Sequence, residues 1–469
     1  LYGSNAMGGA INIITRKPDF LGNKVGIKLM GGSYGTVRGA VTEQYSNGRF
    51  SLTANGAHDR TAGHRENSAF RSTSGMLKAS YDLSAAWRLS GDVNLVKAFS
   101  QNPGTVDRPM FEGTADITRL MSWISLENHY GRTDGGMNLY YNWGRHDIND
   151  GYAAGGKPQE YHFFSTDYQG GFNIFQACRP WTGGTLTGGV DLKLYGGNAY
   201  RNPVTEIYAD HKKLHEEAVY LLAQQLLRAF TFDAGIRLEH HSLYGVEWIP
   251  QVGVSWLAGP DTALKLSASK GFRTPNLREL YMYAVANEEL LPERAWSYDF
   301  TVSQHGLDGR LNAELSIFYT KGSNIIEVNV VDGRRANRNV GTFENSGVEL
   351  SAEWEVAPGL KFNANYSYLH MGTVYTGAPV HKAYVSGTWT PGRFSANLGL
   401  MGVKDLYLST GENAVKSRYV DLKSRLSYRV ADWITVFVRG ENLLNQSYQT
   451  MLGFPEPGIT VFGGVSLSL

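Results

Sequence analysis

Apolar and polar residues alternate with a period of two over most of the chain. From Leu360 to Tyr368 the even-numbered positions are Leu, Phe, Ala, Tyr and Tyr, and the positions between them are Lys, Asn, Asn and Ser. Segments 50–55 and 419–428 show the same alternation. Because successive side chains of a strand point to opposite faces, each segment has one apolar and one polar face. The pattern predicts an all-β protein of about 22 strands.

The connectors between the predicted strands alternate in length. Short ones contain Asn47-Gly48, Asp308-Gly309 and Pro391-Gly392, which favour tight hairpin turns. Long ones fall between them, at 60–72, 99–117, 148–159, 198–213, 272–294, 321–344, 371–379, 406–415 and 443–457. A soluble sandwich has no reason to alternate in this way, whereas outer-membrane barrels have short periplasmic turns and long extracellular loops. The sequence therefore predicts a transmembrane antiparallel β-barrel.

Composition agrees with a barrel and excludes several other classes. The 469 residues include 55 Gly, 27 Tyr, 20 Phe and 10 Trp, which suits strands, turns and aromatic belts. The 44 Lys and Arg nearly balance the 43 Asp and Glu, so no basic surface for nucleic acid is expected. The single cysteine, Cys178, excludes an intrachain disulfide. No apolar run approaches the ~20 residues of a membrane-spanning helix.

Four stretches of the chain carry recognisable motifs. The first eighteen residues, LYGSNAMGGAINIITRKP, predict a tight turn followed by a strand over Ala10–Ile14. This stretch resembles the "YGSxAxGGxINIIT" segment that ends the plug domain of TonB-dependent outer-membrane receptors. The stretches GFRTPNLREL at 271–280, VGTFENSGVE at 340–349 and VFVRGENLLN at 436–445 also resemble motifs of that family. The resemblance therefore extends over essentially the whole chain.

The resemblance implies both an architecture and a function. It implies a plug segment over 1–18, marked by Tyr2, Gly3, Gly8 and Gly9, and a transmembrane barrel over 19–469, with most of the plug missing before the first residue. The implied function is import of a scarce metal chelate, of the ferric siderophore or cobalamin class, across the outer membrane of a Gram-negative bacterium. Energy would come from TonB with ExbB and ExbD, which act through the plug.

Other implications concern partners and alternatives. Lipopolysaccharide would surround the barrel, a capping surface lipoprotein is left open, and neither a cofactor nor an enzymatic activity is expected. A haem or copper receptor of the same family and a passive outer-membrane pore are the alternatives. No histidine lies between Phe272 and Gln304, where haem receptors of the family carry one, which disfavours haem.

Candidate ligand-binding residues lie in the long loops and at the upper strand ends. Aromatic residues there suit either an outward belt or an inward cup for a partly apolar ligand. Arg273 offers a fork for carboxylate or phosphate, and it equally suits anchoring its own loop. Possible metal ligands stand at two strand ends, His240-His241 with Tyr244 and His370-Met371 with Tyr375. Imidazole and thioether together suit copper, although no residue is assigned to a resident metal. The expected ligand-binding residues are Arg273, Tyr281, Tyr283, Tyr152, Tyr161, Tyr200, His240 and Tyr375.

Two motif matches are better explained by structure than by chemistry. Residues Gly31 to Gly35 match G-x-S-x-G, but a nucleophile elbow requires a following helix and the pattern here predicts a strand. Residues 146–151 are one position short of a calcium-binding loop and lack its bidentate glutamate. The first is interpreted as a tight loop at the barrel rim and the second as solvated loop residues, with a divalent ion that bridges lipopolysaccharide or the loops left open.

Overall fold

The computed structural model of the protein describes residues 3–12, 18–331 and 333–469, with Val331 and Arg334 described by their backbone alone. One sheet of 22 antiparallel strands contains most of these residues. The strands are β1 Gly22–Gly32, β2 Thr36–Ser46, β3 Phe50–Thr61, β4 Phe70–Asp82, β5 Trp87–Gln101, β6 Thr114–Tyr130, β7 Thr133–Asn149, β8 His162–Cys178, β9 Gly184–Asn202, β10 Ile207–Leu227, β11 Phe230–His241, β12 Gly245–Leu257, β13 Thr262–Arg273, β14 Glu293–Gly306, β15 Leu311–Val331, β16 Arg334–Ala357, β17 Leu360–Met371, β18 Pro379–Trp389, β19 Phe394–Tyr407, β20 Lys416–Ala431, β21 Ile434–Glu441 and β22 Thr460–Ser468.

Few other elements accompany the sheet. A 3₁₀ turn, Ser33–Gly35, joins β1 to β2, and a short helix α1, Leu277–Tyr281, follows β13. Two small strand pairs lie in the loops, Met110–Phe111 with Tyr152–Ala153 and Gln449–Met451 with Phe454–Pro455. In the part of the chain that the structure describes, no helix has the length and apolar character needed to cross a membrane.

The sheet closes on itself. β1 pairs with β2 on one side and with β22 on the other, from Gly26 opposite Ser468 to Gly32 opposite Phe462. Reciprocal bonds of 2.8 Å between the backbones of Val25 and Leu469 complete this seam. Each strand therefore has two neighbours and the sheet has no free edge. The predicted closed antiparallel barrel is confirmed.

The outer face of the barrel is apolar. Val219 and Leu221 of β10 are about half exposed, and Leu238 of β11 is similar, whereas the alternate positions Ala218 and Glu239 are buried. Large apolar side chains that face outward all round a barrel are stable in lipid and unstable in water. This face is therefore the membrane surface, and the alternate positions face the lumen.

Two long connectors differ from the prediction. The segments 198–213 and 321–344, expected as loops, are largely strand. In the first, β9 and β10 are joined by a turn at 203–206. In the second, β15 extends to Val331 and β16 begins at Arg334. β15 pairs with β14 only as far as Ser323, and beyond that point it pairs with β16 alone. Because both faces of such a hairpin leave the membrane, the alternation that identifies a strand is lost there.

Residues 3–12 lie in the lumen. The backbone N–H of Asn5 donates to the carbonyl of Phe272 at 3.0 Å, and the Ser4 hydroxyl donates to Glu216 Oε2 at 2.6 Å. The strand predicted over Ala10–Ile14 is not formed at Ala10–Asn12, while Ile13, Ile14 and Tyr2 lie outside the described residues. A closed sheet offers this segment no free edge with which to pair.

Charged side chains of β9–β11 form the wall that the lumenal segment touches. Lys193 Nζ lies 2.7 Å from Glu216 Oε2, and Arg237 Nε lies 2.7 Å from Glu239 Oε2. Burial of these charges is tolerated because each has a partner. Gly3 approaches this wall with φ +78°, and a Cβ there would lie 2.6 Å from Glu239 Oε2. Glycine is therefore the residue that allows the close contact.

The seam gives a first prediction. A Cβ at Gly464 in β22 would clash with the carbonyl oxygen of Leu29 and lie 2.5 Å from the ring of Phe437. We expect Gly464→Ala to lower the free energy of unfolding by about 1–3 kcal/mol, since overpacking forces the backbone to shift. Urea unfolding of the barrel in detergent, followed by tryptophan fluorescence, measures this change. The matched control is Gly402→Ala, because a Cβ there meets nothing within 4 Å; equal effects of the two substitutions would contradict the prediction.

Candidate ligand-binding site at the extracellular rim

The loop 274–292 is organised by its own sequence. Asn276 caps the N-terminus of α1. Its side chain accepts from the N–H of Glu279 at 2.9 Å, and its own N–H donates to Glu279 Oε2 at 2.9 Å. This capping box satisfies two backbone donors that the helix leaves free. The motif that resembles the family loop thus has a physical reason, since Asn and Glu at this spacing fix the start of a short helix.

Arg273 fastens the same loop to the barrel. Its Nη1 donates to the two oxygens of Glu279 at 3.0 and 2.9 Å, and its Nε donates to Glu293 Oε2 at 2.6 Å. The guanidinium fork therefore bridges the end of β13, α1 and the start of β14. Of the two interpretations of Arg273, these contacts favour the loop anchor, and a direct contact with ligand stays a prediction.

Four aromatic side chains meet where this loop touches the β8–β10 hairpins. The Tyr283 ring centroid lies 5.6 Å from that of Phe163 and 5.2 Å from that of Tyr208. Tyr281 packs against the same buried cluster, which contains Phe163, Ala199 and Ala209. Offset and tilted ring pairs at these distances are favourable. We call Phe163, Tyr208, Tyr281 and Tyr283 the aromatic cluster.

Cations border the aromatic cluster. Lys212 Nζ lies 4.0 Å from the Tyr281 ring centroid, and the guanidinium of Arg278 lies 5.4 Å from that of Tyr283. These are cation–π contacts. Burial raises the pKa of the Tyr281 and Tyr283 hydroxyls, so both remain neutral hydrogen-bond donors at neutral pH. The surface combines positive charge, aromatic area and hydroxyl donors, which suits an anionic, partly aromatic ligand.

The other predicted tyrosines fall into different places. Tyr161 borders the aromatic cluster, because the Arg201 guanidinium lies 4.2 Å from its ring and 6.0 Å from that of Tyr208. Tyr152 pairs with Phe111 in a separate loop, at 5.7 Å between centroids. Tyr375 accepts from the amide of Asn345 at 3.2 Å and lines a cavity of about 750 Å³ in the lumen, beside Gly8 and Gly9.

Strand alternation separates two sets of residues that are adjacent in sequence. Tyr200 pairs with Phe164 at 5.1 Å, one position away from the inward-facing Phe163, so it lies on the outer face. His241 is buried and faces inward, where the Tyr195 hydroxyl lies 2.9 Å from its Nε2. His240 faces outward and lies 2.9 Å from Glu217. His240 is therefore separated from His241 and Tyr244, whose ring centroids lie 4.8 Å apart.

Several residues of the site were not among those predicted. Arg201, Tyr208 and Lys212 all belong to the segment 198–213 that the sequence pattern indicates as a loop. Their positions follow from the hairpin of β9 and β10, which brings them over the loop 274–292. The signal that could have found them was the strand-forming run after Ile207, which is obscured by its many polar residues.

The loop 442–459 forms a second wall of the rim. The N–H of Asn442 donates to Asp421 Oδ1 at 3.0 Å, and its side chain donates to the carbonyl of Pro457 at 2.8 Å. Tyr448 stacks on Tyr419 with ring centroids 3.9 Å apart. Asn442 therefore ties both ends of this loop to β20, which explains why the NLLN stretch occurs where the last long loop begins.

A closed barrel with an apolar outer face, a polar lumen that holds a chain segment, and long loops at one rim defines an outer-membrane barrel of the receptor type. Residues 30–443 match the family model described as TonB dependent receptor-like, beta-barrel. The chain belongs to the TonB-dependent receptor family, whose barrels lie in the Gram-negative outer membrane.

Individual relatives are distant in sequence. The vitamin B12 transporter BtuB of Vibrio cholerae serotype O1 (strain ATCC 39541 / Classical Ogawa 395 / O395) is 24% identical over 281 residues, which cover 58% of this chain and 44% of that protein. The vitamin B12 transporter BtuB of Photobacterium profundum is 22% identical over 477 residues, 96% of this chain and 74% of that protein. The match to the Vibrio protein thus spans less than half of that relative's length.

Solved structures share the fold. The copper transporter OprC superposes with a TM-score of 0.81 at 16% identity, covering 97% of this chain and 82% of that one. The siderophore receptor PirA from Acinetobacter baumannii superposes with a TM-score of 0.82 at 13% identity, covering 100% of this chain and 83% of that one. At such identities the similarity establishes the architecture alone.

The anchoring role of Arg273 is testable. We expect Arg273→Met to lower the local opening free energy of α1 by about 1.5–3 kcal/mol, because Glu279 and Glu293 each lose a charged hydrogen-bond donor. Hydrogen–deuterium exchange of peptides covering 276–282 measures this change. The control is Arg278→Met, which removes a neighbouring arginine that lies over Tyr283. Unchanged exchange in the Arg273 variant would show that the loop is held by other contacts.

Proposed function

We propose that this chain is the barrel and terminal plug segment of a receptor that imports an anionic metal chelate, of the ferric siderophore class, across the outer membrane. The observation that carries the proposal is the aromatic cluster with its bordering cations, Lys212 and Arg278, at the extracellular mouth of the lumen. Catecholate and related chelates carry negative charge and aromatic rings. Such a ligand is matched by cation–π, stacking and hydroxyl contacts at one place.

In the proposed transport cycle, the extracellular rim binds the ligand and the periplasmic side receives the energy that opens the lumen. Loop 274–292, held by Arg273, would present Tyr281 and Tyr283 to a ligand arriving from outside. Residues 1–18 are proposed as the end of the plug, and Ser4 of this segment is bonded to Glu216 of the lumenal wall. TonB, with ExbB and ExbD, would act on the rest of the plug from the periplasmic side and open the lumen. Lipopolysaccharide would contact the apolar outer face.

Cobalamin is the second candidate ligand class. The curated relatives that match this chain by sequence are vitamin B12 transporters, which favours it. Lys212 and Arg278 beside the aromatic cluster favour a negatively charged ligand instead, because each presents a cation to the space above Tyr281 and Tyr283. The remaining alternatives are a copper receptor or a haem receptor of the same family and a passive pore. A binding experiment must distinguish all of these functions.

The proposal predicts the ligand preference and the residues that decide it. We expect purified receptor to bind a ferric catecholate more tightly than cyanocobalamin, haemin or a cupric chelate, measured by quenching of tryptophan fluorescence. Tyr283→Ala and Lys212→Gln are expected to weaken ferric catecholate binding by about tenfold each, since each removes a contact worth about 1–2 kcal/mol at a desolvated site.

The control is Tyr428→Ala, which removes an exposed tyrosine far below this rim on β20 and is expected to leave binding unchanged. Saturable binding of cyanocobalamin alone would replace the siderophore class by cobalamin. If no chelate binds and the protein conducts ions freely in a planar bilayer, the passive pore is correct and the import proposal is wrong.

A further inference from the structure

Two histidines and a glutamate converge on the outer wall near the extracellular rim. His240 Nδ1 lies 2.9 Å from Glu217 Oε2, and His215 Nε2 lies 3.6 Å from Glu217 Oε1. The donor atoms of the three side chains all lie within 4.8 Å of one another. We call His215, Glu217 and His240 the outer His–Glu cluster.

The strands hold these side chains on one face. His215 and Glu217 are two positions apart on β10, and Glu217 is directly opposite His240 on β11. The turn after β11 fixes His215 further, because the Ser242 N–H donates to the His215 carbonyl at 3.0 Å and the His215 N–H donates to Ser242 Oγ at 3.2 Å. The backbone beneath the cluster is therefore a paired hairpin rather than a free loop.

The cluster lies at the upper end of the apolar outer face. Val219 and Leu221 continue the same face of β10 towards the periplasmic side, and Leu238 does so on β11. Leu194 of β9 lies opposite His215 in the strand register, and Val246 of β12 lies opposite His240. Three ligating side chains thus stand together at the upper edge of the apolar outer face, next to the exposed Lys213 on the same face of β10.

We propose that the outer His–Glu cluster is a binding site for a borderline divalent metal ion of the Zn²⁺ type. Two imidazole nitrogens and one carboxylate oxygen are the donors that zinc accepts with three protein ligands and one open position. Calcium and magnesium are disfavoured because they require oxygen ligands throughout. Since tetrahedral zinc at ~2.0–2.2 Å from each donor places the donors about 3.3 Å apart, the observed spacings require only small side-chain rotations.

The geometry distinguishes this cluster from a simple ion pair. One carboxylate uses a different oxygen for each of two histidines, although a single imidazole would satisfy it. All three side chains are about half exposed, so they have the freedom to close on an ion and the open position faces outward. The site is on the outer wall and faces away from the lumen, so it does not depend on the proposed import function.

The test uses the full chain, expressed without a histidine tag and purified in detergent after treatment with EDTA. Isothermal titration with ZnCl₂ is expected to show one saturable site, and Co²⁺ is expected to give the visible d–d absorption of a four-coordinate nitrogen and oxygen site. Glu217→Gln and His240→Ala are each expected to weaken Zn²⁺ binding by at least about tenfold, because each removes one of three protein ligands.

The matched control is His211→Ala, which removes an exposed histidine of the same strand that lies beside Asp210. It is expected to bind Zn²⁺ as the unaltered chain does. Retention of the heat-resistant, compact form on gel electrophoresis verifies that each variant is folded. Absence of saturable binding in the unaltered chain would overturn the proposal, as would binding that both cluster substitutions leave unchanged.

Discussion

Closure of the sheet is the constraint on which the rest of this structure depends. In lipid no water is available to bond free N–H and C=O groups, so every strand must be paired on both sides. All other neighbouring strands of the sheet are consecutive in the chain. The first and last strands, β1 and β22, pair with each other and so leave no strand with a free edge. The same closure makes the outer positions apolar and the lumenal positions polar, and it leaves residues 10–12 without a free strand edge to pair with.

A closed wall also explains how a short segment is held in the lumen without joining the sheet. Its contacts are made by side chains and single backbone groups, such as Ser4 with Glu216 and Asn5 with the Phe272 carbonyl. The wall charges are costly to bury unless paired, and Lys193 and Arg237 supply those pairs. The lumenal segment and the wall are therefore linked directly, since Ser4 and Lys193 both donate to Glu216 Oε2.

The strands could be predicted best from the sequence where their surroundings require apolar and polar residues to alternate. Between lipid and lumen each strand must alternate, so the 22 strands could be read from the pattern. Tyr208 and Lys212 lie in a hairpin that extends beyond the membrane, where this alternation is lost. Arg273 could be selected as a candidate from its chemistry alone. Whether it binds ligand or anchors its loop depends on its contacts with Glu279 and Glu293, which only the fold brings together. Proximity in sequence misled for His240 and His241, which alternation sends to opposite faces.

That alternation gives one strand two independent roles. On β10, Glu216 faces the lumen and bonds the internal segment, whereas Glu217, the next residue, faces outward between two histidines. The two carboxylates are adjacent in the chain, yet one lies in the lumen and the other on the outer face, and a single layer of backbone separates them. A change in what occupies the lumen can therefore reach the outer cluster only through the backbone of β10 and β11. Because both strands are fully paired at this level, the inner and outer sites are expected to act separately.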